Sequence, residues 1–128
     1  MRYYHVWFQT KRRRPMLFDE IDEHIHELFK QIAREKNINL IAFETSKNHA
    51  HLLLALNDVG ELPRAVKMLK GISARRFFQK FPLVRLDFRI DSLWARRYGY
   101  KEIPEERLEC VIRYIRNQKK DFEREEEL

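Results

Sequence analysis

The chain has 128 residues, enough for one domain with a true core and too few for two. Three glycines and four prolines leave little for linkers, and no uncharged apolar stretch approaches a membrane span, so neither a membrane segment nor a signal peptide is expected. The net charge of +6 is uneven: residues 121–128 hold five acidic groups against one arginine, so residues 1–120 are the more basic part, fitting either a polyanionic partner such as nucleic acid or a solvated Lys/Arg-rich surface.

Arg2 to Thr10 is rich in aromatic and β-branched residues and reads as a strand. Alternation puts Tyr4, Val6 and Phe8 on one face and Tyr3, His5 and Trp7 on the other, so both faces need cover. The basic run Lys11, Arg12, Arg13 and Arg14 follows as a loop with Pro15. Asp19 is the expected N-cap of a helix to about Lys36, with Ile21, Ile25, Leu28, Phe29, Ile32 and Ala33 on its apolar side. Asn37–Glu44 and His49–Leu56 read as strands joined in a hairpin near Asn48.

Pro63 suits the first turn of a second helix, whose stripe is Leu62, Val66, Leu69, Ile72, Ser73 and Phe77, with Lys67, Lys70 and Arg75 outside it. Leu83–Tyr100 reads as strand and loop. Pro104 opens a last helix carrying Leu108, Val111, Ile112, Ile115 and Phe122. The order predicts an α+β fold, a ferredoxin-like βαββαβ antiparallel sheet with an extra C-terminal helix. Residues 1–120 form the single domain and 121–128 an acidic tail. The lone Cys110 excludes an internal disulfide and suits a reducing, cytoplasmic setting.

Asn48-His49-Ala50-His51, running into Leu52-Leu53-Leu54, carries the chemistry. On a strand the side-chain period is two, so His49 and His51 share a face, roughly 7 Å apart along the backbone. Two imidazoles so placed can grip one metal ion or lean on one phosphate. His24-Ile25-His26 is an internal contrast, because a helix turns i and i+2 about 200° apart and denies them a common ligand. On the last helix Tyr114 and Gln118 lie one turn apart, flanking the stripe centred near Ile115. A phenol there can reach a metal mounted on the sheet, or can simply edge an amphipathic helix. The chain has no Gly-rich phosphate loop, no Cys-x-x-Cys and no serine elbow, and no nucleotide cofactor is expected.

Taken together, Tyr4-His5-Val6-Trp7-Phe8 with Lys11–Arg14, the His-x-His strand, Leu69-Lys70-Gly71, Leu93-Trp94 and Tyr114-x-x-x-Gln118 resemble the HUH transposases with a single catalytic tyrosine. That group includes the single-strand insertion-sequence transposases and the REP-associated tyrosine transposases. The resemblance implies that Tyr114 is the nucleophile of a DNA transposase, cleaving and rejoining single-stranded DNA through a 5′-phosphotyrosine. It implies that His49, His51 and Gln118 hold a divalent metal, Mg²⁺ or Mn²⁺. It further implies hairpin-bearing element ends and a homodimer, in some members with the histidines and tyrosine drawn from different chains.

Phosphate contacts are expected from Lys11, Arg12, Arg13, Arg14, Lys67, Lys70, Arg75 and Arg76, and base stacking from among Trp7, Phe77, Phe78, Trp94 and Tyr98. Two positions depart from the family pattern: Ser46-Lys47 replaces a frequent Met-Pro, and Arg97 stands where a glycine is common, with Gly99 downstream. The alternatives are a non-cleaving hairpin- or RNA-binding module and a metal-dependent hydrolase with water as attacker.

Overall fold

The computed structural model describes residues 1–120; the acidic segment 121–128, with Phe122, lies outside the described residues. In chain order it contains β1 (Arg2–Gln9), α1 (Asp19–Glu35), β2 (Asn39–Ser46), β3 (His49–Leu56), α2 (Leu62–Lys80), α3 (Val84–Phe88), β4 (Gly99–Ile103) and α4 (Leu108–Arg116). The strands form one sheet in the order β2-β3-β1-β4, each neighbour antiparallel. This is the expected ferredoxin-like βαββαβ topology with α4 added.

The period-two pattern of β1 sorts the layers. Tyr4, Val6 and Phe8 are buried with Leu52 and Leu54 against Ile25, Phe29 and Ile32 of α1 and Val66, Leu69 and Phe77 of α2. On the opposite face α4 buries Ile115 against Leu53, Ala42 and Ile103, with Tyr3, Leu108, Val111 and Ile112 around them. Full burial of one isoleucine is worth roughly 1.5–3 kcal/mol, so Ile115 is the principal pin of the short α4. β1 is an inner strand, paired on both edges; its Tyr4, Val6 and Phe8 face is fully covered by α1 and α2, whereas on the α4 face Trp7 stays 37% exposed.

Three local expectations are corrected. Asp19 is not the N-cap: Phe18 holds that position in extended conformation without a side-chain cap, and Asp19 opens the helix with φ 48°. The chain is kept extended up to Phe18 because Met16 and Leu17 both donate backbone N–H groups to the Lys47 carbonyl, at 3.1 and 2.9 Å. The segment 83–100 is not mainly strand, since it contains α3 and a loop before β4 begins at Gly99. That loop is drawn inward by Leu93 and Trp94, whose indole N–H donates to Ser73 Oγ at 2.9 Å. Finally, β2 ends at Ser46, two residues later than expected, so the hairpin turn is only Lys47-Asn48.

Candidate active site on the α4 face of the sheet

The strand alternation that buries Ala50 opposite Phe8 turns His49 and His51 to the α4 face. Trp7 lies directly opposite His51 on β1, and His5 is the diagonal neighbour. His51 Nδ1 and His5 Nε2 are 2.9 Å apart, with the rings stacked at 5.1 Å. The His49 ring stands edge-on to His51 at 5.1 Å. From α4 the Tyr114 ring meets both inner histidines edge-on, 5.9 Å from His5 and 6.0 Å from His51, while remaining 52% exposed. Tyrosine and histidines therefore meet within one chain.

Hydrogen bonds orient the imidazoles. Asn48 Nδ2 donates to the Arg13 carbonyl at 3.2 Å, which turns its Oδ1 toward His49 Nδ1 at 3.1 Å. An amide oxygen only accepts, so His49 carries its proton on Nδ1 and leaves the Nε2 lone pair free. One proton lies between His51 and His5. When it sits on His51 Nδ1, His51 also presents a free Nε2.

Burial pushes all three imidazoles below the usual 6.5. His51 goes furthest, to about 4, through desolvation first and then the neighbouring His49 and His5. For His49 the Gln118 side chain pulls the other way. At neutral pH the three rings are uncharged, the state a metal ligand needs. Gln118 follows the helix end at Asn117; its Nε2 donates back to the Tyr114 carbonyl at 3.3 Å, and the side chain also hydrogen-bonds with His49, which leaves the amide oxygen as the atom on the histidine side. Lys119, just beyond, is paired with Asp22 of α1 and sits 3.5 Å from Glu44 of β2.

The donor set fits a divalent cation: two neutral, oriented imidazoles and one amide oxygen. Among the described residues no group of three His, Cys, Asp or Glu side chains can hold a metal by itself, so the amide and substrate oxygens would complete the shell.

The basic residues divide. The turn 11–14 sits beside the histidines, since Thr10 N donates to the Asn48 carbonyl and Lys11 N to the Leu93 carbonyl. Arg12 and Arg13 are exposed there in left-handed conformation, φ 56° and 54°. α2 packs on the other face of the sheet, so Lys67, Arg75 and Arg76 are not part of the site. Arg76 is bound to Glu35 at 2.8 Å and Gln31 at 3.2 Å. Lys70 is half-buried, with its ammonium given to the carbonyls of Ala95, Arg96 and Arg97 at 2.7, 3.2 and 3.3 Å; it pins the loop before β4.

Two residues escape a reading of the sequence. Alternation places His5 on the correct face, but its contact with His51 depends on which strand pairs with β1. Lys101, its exposed cross-strand neighbour on β4, carries no local signal.

A ferredoxin-like sheet that presents paired histidines to a helix-borne tyrosine defines the single-tyrosine transposase class. The chain belongs to the family described as "Transposase IS200 like", which residues 1–118 match. It is similar to the ISDra2 transposase TnpA of Deinococcus radiodurans, 30% identical over 115 residues that span 90% of this chain and 82% of that protein. A crystal structure of a candidate transposase from D. radiodurans R1 aligns with a TM-score of 0.74 and 32% identity, covering 93% of this chain and 92% of the other. A REP-associated tyrosine transposase bound to a REP hairpin shares the fold, with a TM-score of 0.60 and 13% identity over 91% of this chain and 65% of its own. No helix among the described residues is long and apolar enough to cross a membrane.

Proposed function

We propose that this transposase cleaves and rejoins single-stranded DNA by transesterification through a 5′-phosphotyrosine at Tyr114, with a divalent metal, Mg²⁺ or Mn²⁺, held by His49, His51 and Gln118. The observation that carries the reading is the placement of the exposed Tyr114 ring edge-on to His51 and His5 in the same chain. Tyr114 Oη attacks phosphorus, the P–O3′ bond breaks, and the phenol's proton is lost as the 3′ oxygen takes one up. The reverse attack by a 3′-hydroxyl restores the strand, so no nucleotide cofactor is required. The metal, when bound, withdraws charge from the phosphate oxygens and orients the bond. Asn48 favours the His49 tautomer that exposes Nε2, and His51 exposes its Nε2 when the proton shared with His5 sits on His51 Nδ1.

The DNA path follows from the charge layout. The turn 11–14 and Lys101 flank the site on the α4 side, whereas Lys67 and Arg75 lie across the sheet. A strand end at Tyr114 and a hairpin gripped near α2 would use both surfaces, in keeping with the hairpin held by the REP-associated relative. Assembly as a homodimer rests on the resemblance, and light scattering at working concentration checks it.

The test is incubation with labelled single-stranded DNA from the flanks of its own gene, followed by denaturing gel analysis. A protein–DNA adduct that requires Tyr114 and is blocked by chelator is expected. Binding without any adduct would leave a non-cleaving DNA-binding module.

A further inference from the structure

Of the five aromatic residues expected to supply stacking surfaces for DNA, the fold withdraws most. Phe77, Phe78 and Trp94 are buried in the core, and Tyr98 is half-buried with Lys70 Nζ 5.9 Å above its ring. Trp7 remains 37% exposed on the α4 face, directly across from His51 on one side and Gly99 on the other. Its indole occupies the space that a side chain at 99 would fill. A Cβ added to Gly99 would come within 2.3 Å of Cε2 and Nε1 and 2.6 Å of Cζ2. The absence of that one carbon lets the ring settle on the β4 backbone, while the His5 ring props it from behind at 5.0 Å. Beside it opens a cleft of about 180 Å³ to which Arg97 and Gln9 contribute. The indole is thus held in place by a glycine yet left partly in water, and the cleft beside it joins the apolar side chains of Ala95 and Tyr98 to a cation, Arg97, and an amide, Gln9.

We propose that Trp7, seated on Gly99, is the stacking platform for one unpaired nucleobase of the single strand, the base adjoining the phosphate presented to Tyr114, with Arg97 meeting the next phosphate. The proposal rests on the single-stranded DNA reading and adds to it a base-binding subsite. Stacking is sequence-tolerant because every base has a π-face, so the subsite would position the strand without reading it.

The chain has two tryptophans, and Trp94 is 5% exposed and hydrogen-bonded to Ser73, so fluorescence quenching by an added oligonucleotide reports on Trp7. The full chain is titrated with single-stranded oligonucleotides from its own gene flanks, following tryptophan fluorescence and, separately, the anisotropy of labelled DNA. Wild type is expected to show quenching that tracks binding and disappears in Trp7→Phe. One abasic substitution along the strand should weaken wild-type binding about tenfold, and that position should cease to matter in Trp7→Leu. Trp7→Phe should bind within about threefold of wild type, since a phenyl ring still stacks. Binding seen by anisotropy with no quenching, and an abasic scan without a sensitive position, would overturn the subsite while leaving DNA binding intact; both readouts need only wild-type protein. Absence of binding by anisotropy would instead overturn the single-stranded DNA reading, and the subsite with it.

Discussion

His5 Nε2 and His51 Nδ1 lie 2.9 Å apart and share one proton, so the tautomer of His51, and with it the lone pair proposed to bind the metal, is set by a residue on another strand. His5→Gln keeps an acceptor oxygen for that proton, and Mn²⁺ affinity measured by calorimetry should stay near wild type. His5→Phe keeps the ring but no acceptor, and affinity should fall about 10–100-fold. Equal affinity in both variants would reduce His5 to a packing role.

Tyr114→Phe removes one oxygen from an exposed ring. Adduct formation should vanish, DNA affinity should stay within about twofold, and stability should change by less than about 0.5 kcal/mol. A persistent adduct, mapped by mass spectrometry, would move the nucleophile to another tyrosine.

Lys70 and the exposed basic residues should separate cleanly. Lys70→Met leaves three carbonyls without their donor and should cost about 1–3 kcal/mol in a urea melt. Neutralising Arg12 or Lys67 should leave stability unchanged and flatten the slope of log K against log salt by roughly 0.7 for each phosphate that the side chain had neutralised. Unchanged slopes would assign DNA binding to a different surface.

The depressed imidazoles predict the acid behaviour. His51 titrates near 6.5 when unfolded and about 4 when folded, so the unfolded chain takes up the proton first. Its contribution to stability is complete above about pH 6.5 and is lost as pH falls toward 4. Glu44, held below the usual carboxylate range by its His26 hydrogen bond and the Thr45 amide despite burial, loses its contribution only at lower pH. Urea melts between pH 7 and 4 should show the decline, and His51→Gln should flatten it; parallel curves would refute this origin.

Much of the site is readable because it depends on period. Two-residue alternation alone turns His49 and His51 to one face and Ala50 to the other, and helical spacing puts Tyr114 beside Gln118. The same rule separates His24, whose ring lies near Phe77 and Phe81, from His26, which meets Glu44 and Thr45. What is not readable depends on neighbours distant in sequence. Lys70 resembles any helical lysine until the loop at 95–97 folds back onto it, and Asp19 resembles a cap until the Lys47 carbonyl keeps the preceding chain extended. Gly99 looks like a displaced loop glycine, whereas its register opposite Trp7 gives it a reason.

The central position of β1 makes one eight-residue segment answer to two independent selection pressures. Even-numbered side chains from Tyr4 to Phe8 are embedded between the sheet and α1–α2, while His5 and Trp7 border the chemistry. A saturation library across residues 3–8, scored in parallel for soluble yield and for strand cleavage, should therefore split by parity. Substitutions at 4, 6 and 8 would fail both screens together, and those at 5 and 7 that remove the acceptor or the aromatic ring would give soluble protein with impaired cleavage. In a drifting lineage of this chain, loss of transposition would first appear at the odd positions, with the scaffold left standing and open to a new use.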